Sequence, residues 1–453
     1  MDKLLSRIKN INNQRVPTHK ILLVLTMIYF IAFGLMMVHT SGQPDQAPHT
    51  YFSRQFSQTW GIPEENPNLQ YTITGQPYLY YWLNGAAYKI YRLLFPAGEL
   101  YPALLWRLMS LFYSSLTVFF TYKLAKSITG NPYTGVISAF FLSNTLMFAF
   151  VSGGISYDNL IGLATAAAVY HLISLYKGKE FIRQTSLIGI WVIIGALAKD
   201  QFLLLTLIIF IAWLFYVIRH FRQIQLKLSK LNFILIIAFT GFLILFIELY
   251  GVNFIRYGQI TPVCSQIKSL EVCRTYTYRF EYYEPFNLQW MWFVRDSLID
   301  PIRYAGSFCI FRMIESIWGI LSHNSFIPTL SISLHAAMIF WAFTCLIYYR
   351  QPRDSKTILL AMIILCYGTY VFLWNYKREV EYDFQHFVVT GRYLLPILSI
   401  FLVMMTHIFF NIKHVFLRKI TIASALILYF SGGLGIYLNR YAEVFAHWRL
   451  YFH

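Results

Sequence analysis

The stretch ISYDNLIGLATAAAVYHLISLYKGKEFIRQTSLIGIWVIIGALAKDQFLLLTLIIFIAWLFYVIRH, residues 155–220, decides the fold of this chain. It holds three apolar runs, and the longer ones approach the ~20 residues with which a helix crosses a bilayer. The charges lie mostly between the runs or at their ends, as Asp158 does before the first run and Lys199 and Asp200 do before the third. This distribution is typical of transmembrane helices.

The same pattern continues through all 453 residues, of which 57% are hydrophobic and 13% are charged, with a mean hydropathy of +0.51. Soluble domains carry roughly 25% charged residues. We therefore predict a single all-α polytopic transmembrane domain over residues 1–453. The fifth span is short and meets the sixth at Lys199, which favours a tight hairpin, with one long, broken helix as the alternative. The eleven predicted spans are residues 20–40, 101–122, 132–152, 157–176, 185–198, 201–218, 231–252, 326–348, 357–374, 391–411 and 420–438.

The distribution of charge sets the expected orientation of these spans. With the N-terminus in the cytoplasm, 20 of the 37 basic residues lie in short cytoplasmic loops, opposed only by Asp2, Glu180 and Asp354. Lys and Arg in short loops mark the cytoplasmic side. We therefore predict a multi-pass protein of the plasma (inner) membrane, with a cytoplasmic N-terminus and an exoplasmic C-terminus. The net charge of +17 is then a topology signal, so we expect the lipid bilayer as a partner and no nucleic acid.

Two predicted exoplasmic loops, residues 41–100 and 253–325, are too long to be simple connections. The first is rich in aromatic residues, and PYLYYWLNGAAYKIYRLLF (77–95) suits a helix that lies in the membrane interface. Residues 49–60 predict a second short helix with one apolar side. These helices either anchor the loop at the membrane surface or form a gate over a site there.

The cysteines favour a disulfide over a metal site. Cys264 and Cys273 lie in the second exoplasmic loop, where a disulfide is permitted. Cys309, Cys345 and Cys366 lie in or near apolar stretches. No cluster of His, Cys and carboxylate residues has convincing metal-ligand spacing. The sequence therefore predicts no metal and no other cofactor, although a divalent metal ion is not excluded.

A polar segment follows the first span directly: GQPDQAPHTYFSRQF, residues 42–56, with Asp45, His49 and Arg54. A carboxylate at the outer end of a span can act as general base for a hydroxyl or amine acceptor if it lies within hydrogen-bond reach. The alternative is that Asp45 caps the helix that follows it.

Two further groups of polar residues lie at outer ends of predicted spans. Asp158 and Asn159 open the fourth span in SYDN (156–159), where they either cap the helix or face a cleft. Lys199 and Asp200 lie at the outer tip between the fifth and sixth spans. Charged residues next to such apolar runs either snorkel to the membrane surface or serve a function.

The last candidate is TGRYLLP, residues 390–396, which opens the tenth span. Arg392, followed by Tyr393, lies at a helix start, which is a suitable place to hold a phosphate. Snorkelling is the alternative for Arg392. The predicted topology puts all four groups on one side of the membrane, so we expect them to converge on a cleft between the helix ends.

These segments, in this order and topology, resemble the glycosyltransferase superfamily C (GT-C), whose members include protein O-mannosyltransferases and lipid A aminoarabinose transferases. PDQAPH resembles the family's acid-and-His pattern after the first span, although Gln46 stands where many members have a second acid. The resemblance covers residues 15–215 and, locally, 385–411. The other similar segments are GQPYLYYWLNGAAYKIYRLLF, SGGISYDNLIGLATAAAVYHLISLY, GALAKDQFLLLTLIIF and GRYLLPILSIF.

The resemblance implies an inverting, single-displacement transfer of a sugar from a polyprenyl-phosphate-linked donor to a lipid, glycan or protein acceptor. Phosphate is a good leaving group, so one carboxylate base and cations that stabilise the departing phosphate suffice, unlike the two carboxyls of a glycosidase. The implied catalytic residues are Asp45 and Asp158, the donor-binding residues are Arg54, Lys199, Arg392 and Tyr393, and the acceptor-binding or supporting residues are His49, Asn159 and Asp200.

Two other functions are consistent with a many-helix membrane protein. A polysaccharide ligase or polymerase that uses lipid-linked glycans would need Arg and His in a late loop, and Arg378, His386 and Arg392 keep that alternative open. A lipid or polysaccharide transporter (flippase) predicts an inverted repeat and charges near span centres. The sequence shows no repeat, and its charges cluster at span ends.

Overall fold

The computed structural model of the protein confirms an all-α polytopic architecture. In the part of the chain that the structure describes, ten helices are long and apolar enough to cross a membrane, or eleven if one bent pair counts as a span. A short antiparallel ladder of β1 (Ile320–Ser322) and β2 (Ser325–Phe326) is the exception to the helical pattern there. The described residues are 17–38, 46–68, 72–96, 101–226, 228–269, 271–273, 301–322, 325–326, 329–349, 354–381 and 391–440.

The helices of the first half match the predicted spans and the two predicted helices of the first long loop. The first loop contains α2 and α3, and each of the remaining long helices begins or ends within a few residues of its predicted span. In chain order they are α1 (Thr18–Val38), α2 (Gln46–Gln58), α3 (Leu79–Leu94), α4 (Pro102–Thr129), α5 (Pro132–Ser143), α6 (Leu146–Ser152), α7 (Asp158–Tyr176), α8 (Phe181–Ala198) and α9 (Phe202–His220).

The second half continues the bundle and includes several π-helical turns. Residues of the second long loop form short helices beside the bundle. In chain order the helices are α10 (Lys230–Phe246), α11 (Val252–Tyr257), α12 (Cys264–Ile267), α13 (Pro301–Arg303), α14 (Ile310–Gly319), α15 (Thr329–Tyr348), α16 (Ser355–Glu381), α17 (Leu395–Phe410), α18 (Val415–Phe430) and α19 (Ile436–Arg440).

The predicted span 132–152 is broken. Its two halves, α5 and α6, meet at an angle of 71°. The break follows from side chains that bond the last carbonyls of α5: Asn144 Nδ2 donates to Phe140 O at 3.0 Å and Thr145 Oγ1 donates to Phe141 O at 3.0 Å. Such local bonds compete with the helix ladder and favour a helix end.

Helix α7 is the centre of the bundle. Of the residues in its apolar stretch, 83% are buried inside the protein. For the span Lys230–Tyr257 the share is 11%, so most of that span's surface is left to face lipid. Small residues of LATAAA (163–168) allow α4, α8 and α17 to pack against α7. The first residue of α7, Asp158, is also buried.

Helices α2 and α3 form a hairpin that packs against the bundle. A Cβ on Gly85 of α3 would overlap the backbone of α2 at Phe56, so the two helices touch there. The buried side of α2 consists of His49, Ser53 and Phe56, whereas Phe52 is only partly buried.

The second long loop is cross-linked. Cys264 and Cys273 form a disulfide with a Cα–Cα distance of 5.8 Å. Cys309, Cys345 and Cys366 are thiols outside any disulfide; the first two are buried and the third is exposed.

Candidate functional site

A buried ion pair joins two of the sequence-predicted residues. Asp158 is the first residue of α7, and Lys199 lies in extended backbone between α8 and α9. Lys199 Nζ is 3.0 Å from Asp158 Oδ1, and the two side chains are only 8% and 1% exposed. Taking two charges out of water is costly unless further polar contacts compensate it. The surroundings of the pair therefore need an explanation.

Aromatic rings surround the ammonium. Lys199 Nζ lies 4.5 Å from the centroid of the Tyr157 ring and 5.3 Å from that of Tyr393. The guanidinium carbon of Arg392 lies 5.5 Å from the centroid of the same Tyr393 ring. A cation over a ring face is attracted by the ring quadrupole. Two cations, Lys199 and Arg392, thus share one aromatic neighbour, Tyr393, beside the carboxylate of Asp158.

The protonation states follow from the same contacts. Burial acts to lower the pKa of Lys199, but Asp158, Tyr157 and Tyr393 together outweigh it, and the pKa of Lys199 lies above its ordinary value. Burial raises the pKa of Tyr157 to about 12, although the positive charge of Lys199 opposes the shift. At neutral pH the site therefore presents a permanent ammonium and a protonated phenol, and both are hydrogen-bond donors.

Asp158 does not cap its own helix. The residue before α7, Tyr157, is the N-cap and makes no side-chain capping bond. Asp158 Oδ2 accepts a hydrogen bond from Ser156 Oγ at 3.3 Å. Asn159 Oδ1 accepts from Ser114 Oγ at 2.7 Å, and its Nδ2 donates to Val151 O at 3.0 Å. Asn159 thus links α7 to α4 and α6, and these bonds fix the start of α7, where Asp158 lies.

His49 connects the first long loop to this cluster. Its ring lies 4.6 Å from the Tyr157 ring, edge to face, and its Nδ1 is 2.8 Å from the hydroxyl of Tyr81 on α3. The start of α2 is therefore in contact with Tyr157, one of the aromatic rings next to Lys199. Asp45, the residue before α2, lies outside the described residues.

Two other predicted residues lie apart from the ion pair. Arg54 is exposed on α2, and no hydrogen bond or ion pair among the described residues joins its guanidinium to the cluster. Asp200, the neighbour of Lys199, accepts a hydrogen bond from Gln201 N at 2.7 Å through Oδ1, ahead of the first turn of α9. His386 lies outside the described residues.

A turn at the start of the tenth span positions Arg392 and Tyr393. Residues Gly391–Leu394 form this 3₁₀ turn, and Gly391 N donates to Ser316 Oγ of α14 at 2.5 Å. A Cβ on Gly391 would lie 2.7 Å from Met313 O, which is backbone and cannot move aside easily. Helix α14 therefore sets the position of the turn.

We expect Gly391→Ala to displace this turn, destabilise the protein by about 1–3 kcal/mol, the usual cost of overpacking, and weaken binding of an anionic ligand near Arg392. The matched control is Gly368→Ala on α16, where an added Cβ meets nothing within 4 Å. Thermal unfolding of the purified protein measures the difference. Equal stability of the two variants would contradict the packing role of Gly391.

Sequence reasoning missed Tyr157, Tyr81 and Ser316. Tyr157 directly precedes Asp158 in the sequence, and this adjacency could have indicated that Tyr157 belongs to the site. Tyr81 is one of many aromatic residues in α3, and nothing local distinguishes it. Among the described residues, no group of three or more His, Cys, Asp or Glu side chains could hold a metal ion.

Comparison with known proteins identifies the architecture. No protein-family model matches the chain, and no curated protein matches it by sequence. The Archaeoglobus fulgidus oligosaccharyltransferase tethered to an acceptor peptide superposes with a TM-score of 0.50 at 13% identity, covering 90% of this chain and 53% of that one. The chain has the GT-C fold.

The complex of the same archaeal enzyme with Zn and sulfate agrees, with a TM-score of 0.50, 12% identity, and coverage of 90% of this chain and 51% of that chain. The chain thus spans about half the length of the solved structures that it matches. At such low identity the likeness concerns the fold, and the chemistry must be argued from the site.

Proposed function

We propose that this protein is a membrane glycosyltransferase that moves a sugar from a polyprenyl-phosphate-linked donor to an acceptor on the exoplasmic face. The single observation that carries the proposal is that two cations, Lys199 and Arg392, lie at the ring of Tyr393, with Lys199 paired to Asp158, at helix ends of a GT-C fold. Two cations beside one aromatic ring favour an anionic ligand, and a phosphate, with several acceptor oxygens, can bind both.

The reaction proposed is an inverting single displacement. The acceptor attacks the anomeric carbon, the bond between that carbon and the phosphate oxygen breaks, and polyprenyl phosphate leaves with the electron pair. Asp45 takes the acceptor proton as general base. Lys199 and Arg392 stabilise the negative charge that grows on the departing phosphate, which is where fixed charges lower a barrier most.

The remaining site residues orient these groups. Asp158 fixes the ammonium of Lys199 through their 3.0 Å contact. The ammonium is thereby held in the position from which it would bind the phosphate. Tyr157, whose pKa is about 12, remains protonated and can donate a hydrogen bond to a phosphate oxygen. His49 is proposed to hold the start of α2 against the Tyr157 ring. Asp45 directly precedes α2 in the chain.

The location of the charges also supports a membrane-bound substrate. The ion pair lies between the ends of apolar spans, so the headgroup of a lipid-linked donor can reach it while its chain remains among the helices. The name of the archaeal neighbour, an oligosaccharyltransferase, supports a lipid-linked glycan donor in general. Transfer of a single sugar, and the choice among lipid, glycan and protein acceptors, belong to our proposal.

The test is transfer of radiolabelled sugar by the purified full-length protein from a panel of polyprenyl-phosphate sugars to membrane lipids, glycans and proteins. We expect labelled product from at least one donor and release of polyprenyl phosphate in equal amount. Labelled polymer made from a lipid-linked glycan would instead support the ligase or polymerase. Lipid movement in liposomes without transfer would support the transporter and refute the enzyme.

A further inference from the structure

The two long loops contact each other away from the ion pair at Asp158. In the connection between α2 and α3, Glu65 Oε1 lies 2.7 Å from Lys268 Nζ of the second loop. The same ammonium donates to Asn66 O at 2.9 Å. The Lys268 side chain is 1% exposed and that of Glu65 is 20% exposed, so this is not an ordinary surface pair.

The second carboxylate oxygen of Glu65 holds the backbone ahead of α3. Glu65 Oε2 accepts hydrogen bonds from Ile73 N at 2.9 Å and from Thr74 N at 2.7 Å. Hydrogen bonds to a charged acceptor are about twice as strong as neutral ones. One carboxylate thus links the second loop to the chain that enters α3 at Leu79.

A second contact joins the same two segments. Asn253 Nδ2 donates to Gly75 O and to Ile260 O, each at 2.9 Å. Gly75 has a φ of +73°, and a Cβ there would lie 2.6 Å from Pro262 Cγ. The left-handed conformation and the close approach both require glycine. The chain before α3 is therefore fixed from two sides.

The disulfide closes the segment that carries Lys268. Cys264 and Cys273 enclose this residue, and Lys268 N donates to Cys264 O at 2.9 Å. A cross-link restricts the conformations of the enclosed segment. The ammonium of Lys268 is thereby held where Glu65 can meet it.

We infer that Glu65, Lys268 and the Cys264–Cys273 disulfide, together the loop clasp, position α3 for the proposed site. Helix α3 carries Tyr81, whose hydroxyl is 2.8 Å from His49 Nδ1. Glu65 and Lys268 are positioning residues because they act through α3. The catalytic consequence rests on the proposed function, whereas the structural consequence can be measured without it.

The structural consequence is tested by hydrogen–deuterium exchange of peptides that contain Ile73 and Thr74. We expect Glu65→Gln and Lys268→Met to accelerate exchange there. Glu64→Gln is the matched control because it makes the same carboxyl-to-amide change at an exposed neighbouring residue. The control is expected to exchange like the wild type.

The effect on the site has two readouts. His49 is 3% exposed, so in the wild type it should resist modification by diethyl pyrocarbonate, and release of the clasp should increase its labelling. The transfer rate should fall about 10- to 100-fold, as for loss of a charge-assisted hydrogen bond, with little change in donor KM because Lys199 and Arg392 remain. The double variant Cys264→Ser, Cys273→Ser should change both readouts in the same direction.

The pH dependence supplies an independent test. Partial burial acts to raise the pKa of Glu65, but Lys268 and the amides of Thr74 and Ile73 outweigh it, so that its pKa lies below the ordinary 4.5. Stabilisation from such a carboxyl is complete above its unfolded pKa and is lost as the pH falls through the folded pKa. The Tyr51 phenol, whose pKa is raised by burial and by Glu65, stays neutral there. Acidification should therefore accelerate exchange at Ile73 and Thr74 in Glu64→Gln. In Glu65→Gln, which lacks this carboxyl, it should cause no further acceleration.

The possible results separate the two proposals. Unchanged exchange at Ile73 and Thr74 in Glu65→Gln would overturn the clasp. Faster exchange with unchanged labelling of His49 would overturn its positioning role and leave a local brace. If the wild type transfers no sugar, the proposed function fails, and the labelling of His49 still decides the clasp.

Discussion

Replacing Asp158 by asparagine is expected to lower the free energy of unfolding by about 3–5 kcal/mol, the usual cost of removing one partner of a buried ion pair. The change leaves the Lys199 ammonium, in a side chain that is 8% exposed, without its counter-ion 3.0 Å away. Denaturant titration of the protein in mixed micelles measures the loss. The control is Glu315→Gln, which breaks the ion pair with Arg312, whose side chain is 46% exposed, and should cost less than about 1 kcal/mol.

The double variant Asp158→Asn, Lys199→Met separates structure from chemistry. Removing both charges should recover most of the lost stability, because an uncharged pair has no unpaired ion to bury. Transfer activity should not recover, because the proposed phosphate-binding ammonium is absent. A double variant that is both stable and active would show that the ion pair has only a structural role.

The bundle could be predicted from sequence because each span is recognisable from its own stretch of residues, without knowledge of its neighbours in space. The length of each apolar run and the position of its charges suffice to place spans such as α1 and α7. The resemblance of ordered segments then indicated the GT-C fold, which the superposition supports. The expectation that Asp158, Lys199 and Arg392 meet also followed, because residues at equivalent ends of neighbouring spans share one membrane surface.

The details of the site required the three-dimensional packing. Lys199 and Asp200 are adjacent and equally polar, yet Lys199 pairs with Asp158 inside the bundle while Asp200 bonds the amide of Gln201. Local sequence does not say which of two neighbours points inward. The exposure of Arg54 depends likewise on which side of α2 packs against α3.

The break in the span 132–152 shows the same limit of sequence patterns. Three polar residues, Ser143 to Thr145, are the whole interruption of the apolar run there, and the bend arises from hydrogen bonds that Asn144 and Thr145 make to carbonyls of α5. Gly433 of a later helix fits against this bend, and a Cβ there would lie 2.6 Å from Asn144 O. A contact between residues so distant in sequence has no signature in either segment alone.

The second large effect is expected for Asp45→Asn, which should lower kcat for sugar transfer by about 10²- to 10⁴-fold, the usual contribution of a general base. Donor KM should change little, because Lys199 and Arg392 are intact. Radiolabel transfer at saturating donor measures the loss. Glu64→Gln, which changes an exposed carboxyl of the same loop to an amide, should keep the wild-type rate.

Gln46 makes this prediction sharper, because it occupies the position at which many members of the GT-C family carry a second acid. If position 46 can also supply a base, the double variant Asp45→Asn, Gln46→Glu should regain part of the activity that Asp45→Asn loses. If Asp45→Asn keeps its full rate, Asp45 is not the base. Asp158 is a weak substitute, because both of its carboxylate oxygens are already occupied, Oδ1 by Lys199 and Oδ2 by Ser156. Full activity of Asp45→Asn would therefore argue for a base supplied by the acceptor or by another segment, rather than for a shift of the same role to Asp158.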